Sequence, residues 1–296
     1  MKKLKIPCFS SFLLKIVAII SMTFDHVGVV MNSFWPENST LMTISGIFRI
    51  IGRLALPLFC FMIVEGVIHT KSFKKYIASL GIIGVCVLIA QIFMYHVLKM
   101  RMYSGNIFID LILGACCVKL LMGKNNYLKL ICLLPIAFGI ISHLFYGFEW
   151  ASYPIAKYFP EYLRAQYGFY GIALIIGFYF SRYLAKIYYK VLEGYGGLSY
   201  ESVEGTPQHR MVINMFCVVV LVVFTLLYYM ISFFTPMKMI YWDPSLQNNA
   251  LFAGALILLY NGKRGYNSLA FKYGCYLYYP LHLLIAYGIG LLIFNL

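Results

Sequence analysis

The chain has 296 residues, of which 62% are hydrophobic and only 11% are charged, and its mean hydropathy is +0.80. Soluble domains carry about a quarter charged residues, so this composition excludes an ordinary soluble enzyme and is typical of a polytopic membrane protein. The formal charge of +14 would suit a nucleic-acid-binding protein, but the cations lie in short clusters between apolar runs, as orienting loop charges do. We therefore expect one domain, residues 1–296, folded as an all-α transmembrane helix bundle in a lipid bilayer with no nucleic-acid partner.

The apolar runs predict about nine membrane spans, although the short separations between them leave eight or ten possible. The N-terminus resembles a signal peptide, but no small-x-small cleavage site follows it, and this predicts an uncleaved first span. The fourth segment is short and the eighth is marginal in length. The predicted segments are 12–33, 46–67, 75–98, 106–122, 127–145, 168–187, 211–234, 247–261 and 273–295.

The distribution of cations in the loops predicts the orientation. With a cytoplasmic N-terminus, sixteen of the 24 Lys and Arg residues fall on the inner side and five on the outer side. The remaining three, Lys15, Arg49 and Arg53, lie within predicted spans. An excess of inner cations is the usual bias of membrane proteins, so the topology places the N-terminus inside and the C-terminus outside.

Two further features bear on function. The eight cysteines form no C-x-x-C pair and lie mostly in apolar runs, so we expect buried thiols with no structural disulfide and no metal site. The predicted outer loop 146–167 is rich in Tyr, Trp, Phe and Pro. Such a composition is typical of an interfacial aromatic belt, and the functional alternative is a lip over an outward-facing site.

The first span carries charge along one face. The stretch Leu14–Gly28 is apolar, but it contains Lys15 near one end and the pair Asp25 and His26 toward the other. Lys15 and His26 are eleven residues apart, which on a helix puts them on one face about 16 Å apart along the axis. Ionisable residues inside a membrane are costly and usually functional.

The topology sorts the ionisable residues of the first two spans by depth into an outer and an inner cluster. A structural interpretation pairs Asp25 with Arg53, and Lys15 with Glu65, as contacts that fasten the two helices together. A single pair needs no other explanation, but several such residues at one level favour a site. The outer cluster contains Asp25, His26, Arg49 and Arg53, and the inner cluster contains Lys15, Glu65 and His69.

The outer cluster has the groups needed for acid–base chemistry. His26 beside Asp25 indicates a general base whose imidazole is oriented by a carboxylate. Arginines such as Arg49 and Arg53 suit a phosphate or a developing oxyanion. The nucleophile would have to come from the substrate, because the sequence contains no G-x-S-x-G-like motif.

Three other polar residues are weaker candidates. Asn106 and Asp110 open the fourth span at its outer end, four residues apart, and are expected to face the layer of His26. His282 lies in the ninth span after the tyrosine-rich YLYYP stretch, where a histidine is more often a hydrogen-bonded packing residue.

The motifs of these spans resemble the TraX family. The resemblance rests on LKIVAIISMTFDHVG followed by FRIIGRLALPLFCFMIVEGVIHT, and on the later blocks EYLRAQYGFYGIALIIGFYF and NGKRGYNSLAFKYGCYLYYPLHLLI. It covers nearly the whole chain and is strongest at 14–76 and 259–284. The family is similar in turn to the acyltransferase-3 group, whose first span has an Arg-x₁₀-His pattern that here is Lys15-x₁₀-His26.

The resemblance implies an acetyltransferase of the bacterial cytoplasmic membrane that uses acetyl-CoA as donor and no metal. The implied acceptor is the N-terminus of a pilin-like peptide, and the wider group implies a surface or lipid-linked glycan hydroxyl instead. His26 would deprotonate the acceptor or take the acetyl group first, Asp25 would orient it, and Arg49 or Arg53 would stabilise the oxyanion or bind CoA. Lys15 marks the donor side, and Glu65, Asn106, Asp110 and His282 are donor-binding or structural residues.

Two other classes of function remain compatible with the sequence. A proton-coupled transporter would use a relay through Lys15, Glu65, Asp25 and His26, although no convincing inverted repeat is visible. A catalytically silent scaffold for an assembly machine would use the polar clusters only as helix contacts.

Overall fold

The computed structural model describes residues 9–97, 105–234 and 244–294, and this part of the chain is helical with no β-strand. The predicted all-α bundle is therefore confirmed. The helices are α1 Ser11–Phe34, α2 Ser39–Gly52, α3 Ala55–His69, α4 Phe73–His96, α5 Ile107–Leu121, α6 Asn126–Lys129, α7 Leu133–Trp150, α8 Phe169–Gly194, α9 Tyr200–Val203, α10 Pro207–Phe234, α11 Pro244–Gln247, α12 Ala253–Leu258 and α13 Leu269–Phe294. Of the cations and cysteines counted above, seven lie outside the described ranges: Lys2, Lys3, Lys5, Cys8, Lys99, Arg101 and Lys238.

Six helical segments of the described chain are long and apolar enough to cross a membrane, which makes this a multi-pass membrane protein. They contain α1, α2 with α3, α4, α6 with α7, α10 and α13. The other three predicted spans are also helical but fall short by length or composition. Helix α5 has 15 residues, α8 carries Arg182 and Lys186 in its second half, and α12 has six residues. The count of nine spans therefore stays a prediction.

Contacts between helices give their relative directions. Helix α2 runs antiparallel to α1, because Ser45 Oγ donates to the Gly28 carbonyl while Ser21 Oγ donates to the Ile51 carbonyl. Helix α13 runs parallel to α1. The contacts that establish this direction are Thr23 with Tyr278, His26 with His282, and Phe34 with Tyr287.

The second predicted span, 46–67, is longer than expected and is interrupted. It comprises α2 and α3, joined by a turn at Arg53 and Leu54. Pro57 explains the break, because its ring clashes with the carbonyl of residue i−4, which is Arg53, and it donates no hydrogen bond there. The interruption places Arg53 between two helices, facing α1.

The eighth predicted span, 247–261, is likewise not one helix. It consists of α11, a 3₁₀ turn at Asn248–Phe252 and α12. Asn248 and Asn249 are poor residues for a helix interior, since their side chains compete for backbone hydrogen bonds. The apolar core of the bundle is built largely from α3, α5 and α8, around fully buried residues such as Leu58, Ala115 and Leu174.

Candidate functional site

Helix α1 presents two polar residues to two different neighbours at one level. Asp25 faces α2 and the turn after it, and His26 faces α13. Successive residues on a helix point about 100° apart, so adjacent side chains cannot share one face. The site therefore has two halves that meet on α1.

The first half is a buried ion pair. Arg53 Nη2 donates to Asp25 Oδ1, and Arg53 Nε donates to the Arg49 carbonyl at 3.2 Å. Arg53 is 2% exposed and Asp25 is 8% exposed, so the pair lies inside the protein. Gly52 lets the helices approach, because a Cβ there would lie 2.3 Å from the Asp25 Cβ. The predicted pair of Asp25 and Arg53 is thus observed.

Arg49 has a weaker contact with Asp25 than Arg53 has. Its Nε lies 3.9 Å from Asp25 Oδ1 and has no hydrogen-bond partner within the described residues. The Arg49 side chain is 26% exposed. One carboxylate faces two guanidinium groups here, so the positive charge of Arg49 remains available to an anionic group.

The second half is a chain of two imidazoles. His26 Nδ1 lies 2.6 Å from His282 Nε2, and His282 Nδ1 lies 2.9 Å from the Tyr278 carbonyl oxygen. A carbonyl oxygen only accepts, so His282 Nδ1 carries the proton and its Nε2 is the acceptor in the neutral ring. His26 Nδ1 is then the donor, and the lone pair of His26 lies on Nε2. The contacts thereby place the lone pair of neutral His26 on Nε2.

The prediction that Asp25 orients His26 is wrong. The orienting partner is His282, which was expected to be a packing residue. Asp25 points to Arg53, since the helical rotation between positions 25 and 26 sends the two side chains to different helices. His282 is 6% exposed, which makes it a buried part of the site.

Aromatic side chains surround the two halves. The Tyr279 ring packs edge-on against His26 and against Phe108, with centroid distances of 6.4 and 4.8 Å. Tyr167 lies within electrostatic range of both Arg53 and Asp25. Sequence reasoning missed Tyr167, although its place in the RAQYGFYG block next to the outer loop is a usable signal.

Asn106 and Asp110 bind backbone groups of the segments around them. Asn106 caps α5 by accepting from the Phe108 N–H, and its Nδ2 donates to the Gly84 carbonyl at 2.8 Å. Asp110 Oδ2 accepts from the backbone N–H groups of Gln166 and Tyr167 at 2.7 and 3.3 Å. Asp110 therefore fixes the segment that carries Tyr167.

The inner cluster is organised around Glu65, which is 6% exposed. Its Oε1 accepts from Arg182 and from Arg210, the latter at 2.9 Å. Its Oε2 accepts from the Tyr260 hydroxyl at 3.3 Å and lies 3.6 Å from His69 Nε2. Both carboxylate oxygens are thus engaged, which indicates a structural junction between α3, α8, α10 and the segment after α12.

The predicted pair of Lys15 and Glu65 is wrong. Lys15 is exposed, and its electrostatic neighbours are Cys275, Arg264 and Lys272. Lys15 does lie on the face of α1 that meets α13, the same face as His26. Glu65 is paired instead with Arg182 of α8 and Arg210 of α10, whose guanidinium groups lie against its carboxylate.

Metal binding was not expected, and the described residues contain no group of three or more His, Cys, Asp or Glu side chains placed to hold a metal ion. The seven described cysteines have free thiols, and Cys60, Cys117, Cys132 and Cys217 are buried. The outer cluster itself combines the imidazole of His26 with the guanidinium groups of Arg49 and Arg53.

Comparison with known proteins identifies related sequences. A probable fimbrial assembly protein, FimC, from Dichelobacter nodosus is 29% identical over 170 residues, which cover 52% of this chain and 64% of that protein. An uncharacterized protein from Rickettsia prowazekii is 36% identical over 104 residues, which cover 35% of this chain and 34% of its own length. The matches thus span less than two thirds of either relative, and no solved structure matches.

The model of the TraX protein family matches residues 10–192. This match covers more than half of the chain and runs from α1 almost to the end of α8. It includes Asp25, His26, Arg49 and Arg53 of the outer cluster, whereas His282 lies beyond it. The chain belongs to the TraX family.

Proposed function

We propose that this protein is a membrane-embedded acetyltransferase. It moves an acetyl group from cytoplasmic acetyl-CoA to the N-terminal amine of a pilin-like peptide that arrives from the outer side of the bacterial cytoplasmic membrane. Membership of the TraX family and the fimbrial assembly relative support a pilin-related acceptor. The observation that carries the proposal is the chain from Tyr278 through His282 to His26, which leaves a basic nitrogen at His26 Nε2.

In the proposed reaction the acceptor amine attacks the thioester carbonyl of acetyl-CoA. A new N–C bond forms, the amine gives one proton to His26 Nε2, and the C–S bond breaks. The thiolate of CoA then takes that proton and leaves as a thiol. His282 stabilises the protonated His26 by accepting from its Nδ1, so the pair shares the positive charge. A route through acetylated His26 begins at the same lone pair.

Arg49 and Arg53 have different roles in this proposal. Arg53 is neutralised by Asp25, so the pair fixes the turn between α2 and α3. Arg49 keeps an uncompensated guanidinium close to that pair, and it stabilises the oxyanion that develops on the thioester carbonyl. Arg49 is therefore the catalytic arginine, and Arg53 is a positioning residue.

The donor would enter from the inner side. Lys15 lies near Arg264 and Lys272, and these three cations suit the phosphates of CoA. Lys15 and His26 are eleven residues apart on α1, a separation of about 16 Å. A thioester on the extended arm of CoA could span this distance while its phosphates stay at the cytoplasmic surface.

A proton-coupled transporter is disfavoured by the contacts of its supposed relay. That relay needs Lys15 to meet Glu65 and Asp25 to meet His26. Within the described residues Glu65 is engaged by Arg182, Arg210, Tyr260 and His69, and Asp25 is engaged by Arg53.

The proposal is tested by supplying radiolabelled acetyl-CoA to membranes that contain the protein. The acceptors are a synthetic peptide with a free N-terminus and the same peptide with a blocked one. We expect label on the free peptide only, and none with membranes that lack the protein. Label on a glycan hydroxyl instead of the free peptide would contradict the proposal of a peptide acceptor. No label on the free peptide or on a glycan would contradict the proposal that this protein is an acetyltransferase.

A further inference from the structure

The loop between α12 and α13 is fastened to the beginning of α1. We call its residues 261–266 the basic loop. The Ser11 N–H donates to the Lys263 carbonyl at 2.9 Å. The next N–H of the helix, that of Phe12, donates to the Arg264 carbonyl at 3.1 Å. Because the loop carbonyls satisfy these first N–H groups of α1, the exposed side chains of Lys263 and Arg264 stand on a backbone that is held in place.

The basic loop brings cations together without a carboxylate of its own. Lys15 of α1 lies within electrostatic range of Arg264 and of Lys272, which follows the loop in α13. The two stretches that carry these cations, 9–24 and 261–294, contain no Asp or Glu. Like charges held close together repel one another, so a bound anion would stabilise this arrangement.

The carboxylate of the inner cluster does not neutralise these cations. Glu65 accepts from the Tyr260 hydroxyl immediately before the basic loop, but it is already bound by Arg182 and Arg210. Among these contacts two guanidinium groups share one carboxylate. The inner cluster therefore adds positive charge to this side of the protein.

An exposed aromatic ring lies beside the cations. Tyr266 at the end of the basic loop is 62% exposed. Its ring is held by edge contacts with Phe12 and with Phe271, at centroid distances of 5.4 and 6.3 Å. A fixed and exposed ring next to positive charge is the arrangement on which a nucleic-acid base stacks while its phosphates are bound.

Positions along α1 relate the basic loop to His26. Lys15 lies about 16 Å from His26 along the helix axis, and Phe12 lies about 4.5 Å further toward the start of the helix. In acetyl-CoA about 14 bonds separate the diphosphate from the acetyl carbon, which is about 16 Å in an extended chain. A thioester at His26 therefore puts the diphosphate at the level of Lys15 and the adenosine at the level of Phe12, where Tyr266 packs.

We propose that the basic loop binds the adenosine 3′-phosphate end of acetyl-CoA. Adenine stacks on Tyr266, and Arg264 with Lys263 binds the 3′-phosphate. Lys15 and Lys272 bind the diphosphate. This inference rests on the proposed function, because it assigns the recognition site of the same donor. A lipid headgroup would bring a phosphate but no planar ring, so Tyr266 and the spacing along α1 favour the nucleotide.

The test measures binding, so that it does not depend on transfer. The purified full-length protein in phosphatidylcholine nanodiscs is titrated by isothermal titration calorimetry with CoA, with 3′-dephospho-CoA and with pantetheine. We expect CoA to bind about tenfold more tightly than 3′-dephospho-CoA, because the 3′-phosphate adds a charge-assisted contact. Pantetheine, which lacks the nucleotide, should bind most weakly.

Two exposed residues of the loop give the variants. Arg264→Gln should reduce the ratio between CoA and 3′-dephospho-CoA to about two. Tyr266→Ala should weaken both ligands about tenfold at an unchanged ratio, since it removes the stacking surface, and Tyr266→Trp should retain the affinity. Neither side chain is buried, so these variants are expected to fold. The control Tyr195→Ala removes a tyrosine after α8 that is 88% exposed, and it should leave all three affinities unchanged.

Equal binding of CoA and 3′-dephospho-CoA by the wild type would overturn the proposal, as would wild-type affinity in Tyr266→Ala. Native mass spectrometry from nanodiscs that also contain phosphatidylglycerol tests a lipid as the source of the phosphate. Phosphatidylglycerol that is retained by the wild type and lost in Arg264→Gln, with CoA binding unchanged, would assign the loop to a headgroup and overturn the proposal. Selective binding of CoA without acetyl transfer would contradict the proposed function alone. Transfer from acetyl-pantetheine as fast as from acetyl-CoA would contradict the role of the basic loop alone.

Discussion

The outer and inner polar clusters differ in how completely their charges are satisfied. At the inner cluster, both oxygens of Glu65 are engaged by groups from three parts of the chain. At the outer cluster, Asp25 and Arg53 form a closed pair, but Arg49 and the Nε2 lone pair of His26 are left for another molecule. A fully hydrogen-bonded cluster such as the inner one holds helices together. Polar groups inside a membrane that lack a partner, such as Arg49 Nε in the outer cluster, indicate a functional site.

Removal of the buried guanidinium should have the largest effect on stability. Arg53→Ala leaves Asp25 buried without its main partner, and we expect a loss of about 3–5 kcal/mol of unfolding free energy. Thermal unfolding in detergent followed by size-exclusion chromatography measures this loss. Glu65→Gln should cost less, about 1–2 kcal/mol, because the side chains of Arg182 and Arg210 are 25% and 15% exposed and can be solvated. Equal losses would remove the distinction between the clusters.

Arg49 should matter for rate and not for folding. Arg49→Gln should lower kcat about 100-fold, as the removal of one oxyanion donor does, while unfolding stays within about 0.5 kcal/mol of wild type. The effect on unfolding is small because Arg49 lies 3.9 Å from Asp25 and its side chain is partly exposed. Initial rates with saturating acetyl-CoA measure the effect. A stability loss as large as that of Arg53→Ala would show that Arg49 is structural.

His282 should act through His26. His282→Ala removes the acceptor for His26 Nδ1 and should lower kcat about 10- to 100-fold, the usual effect of losing an orienting partner. His282→Gln offers an amide oxygen in its place and should recover part of the rate. A packing role alone predicts that both variants lose stability with no change in the pH profile of kcat, and that result would contradict the role of His282 as the acceptor for His26 Nδ1.

The smallest effect is expected at Lys15. Lys15→Ala should raise the KM for acetyl-CoA about three- to fivefold with little change in kcat, because an exposed cation contributes modestly to phosphate binding. Lys15→Arg should behave as wild type, and Lys124→Ala, an exposed cation on the turn after α5, serves as the control. A lower kcat at unchanged KM would place Lys15 in the chemistry instead.

The sequence predicted the helical segments better than it predicted the contacts between them. The apolar runs indicated the segments because these depend on local composition, and the contact between Asp25 and Arg53 agrees with their predicted common level. The partners of Glu65 were missed because Arg182 and Arg210 were assigned to the cytoplasmic side as loop cations, and only the packing of α8 and α10 brings them to α3.

Contacts between helices were also the part of the candidate site that the sequence did not predict. Adjacency in sequence suggested that Asp25 orients His26, whereas a rotation of about 100° per residue directs the two side chains to different helices. His282 is 256 residues away from His26 and became visible only through the contact between α1 and α13. The break at Arg53, in contrast, was readable from Pro57, four residues later.

The most direct test of the account compares acetyl transfer by His26→Ala and His96→Ala, with wild type as reference. His96 is an exposed histidine at the end of α4, so its removal controls for the loss of an imidazole outside the site. We predict that His26→Ala inserts into membranes at normal levels but loses transfer by about a thousandfold, while His96→Ala retains it. Transfer by His26→Ala within twofold of wild type would contradict the assignment of His26 as the base.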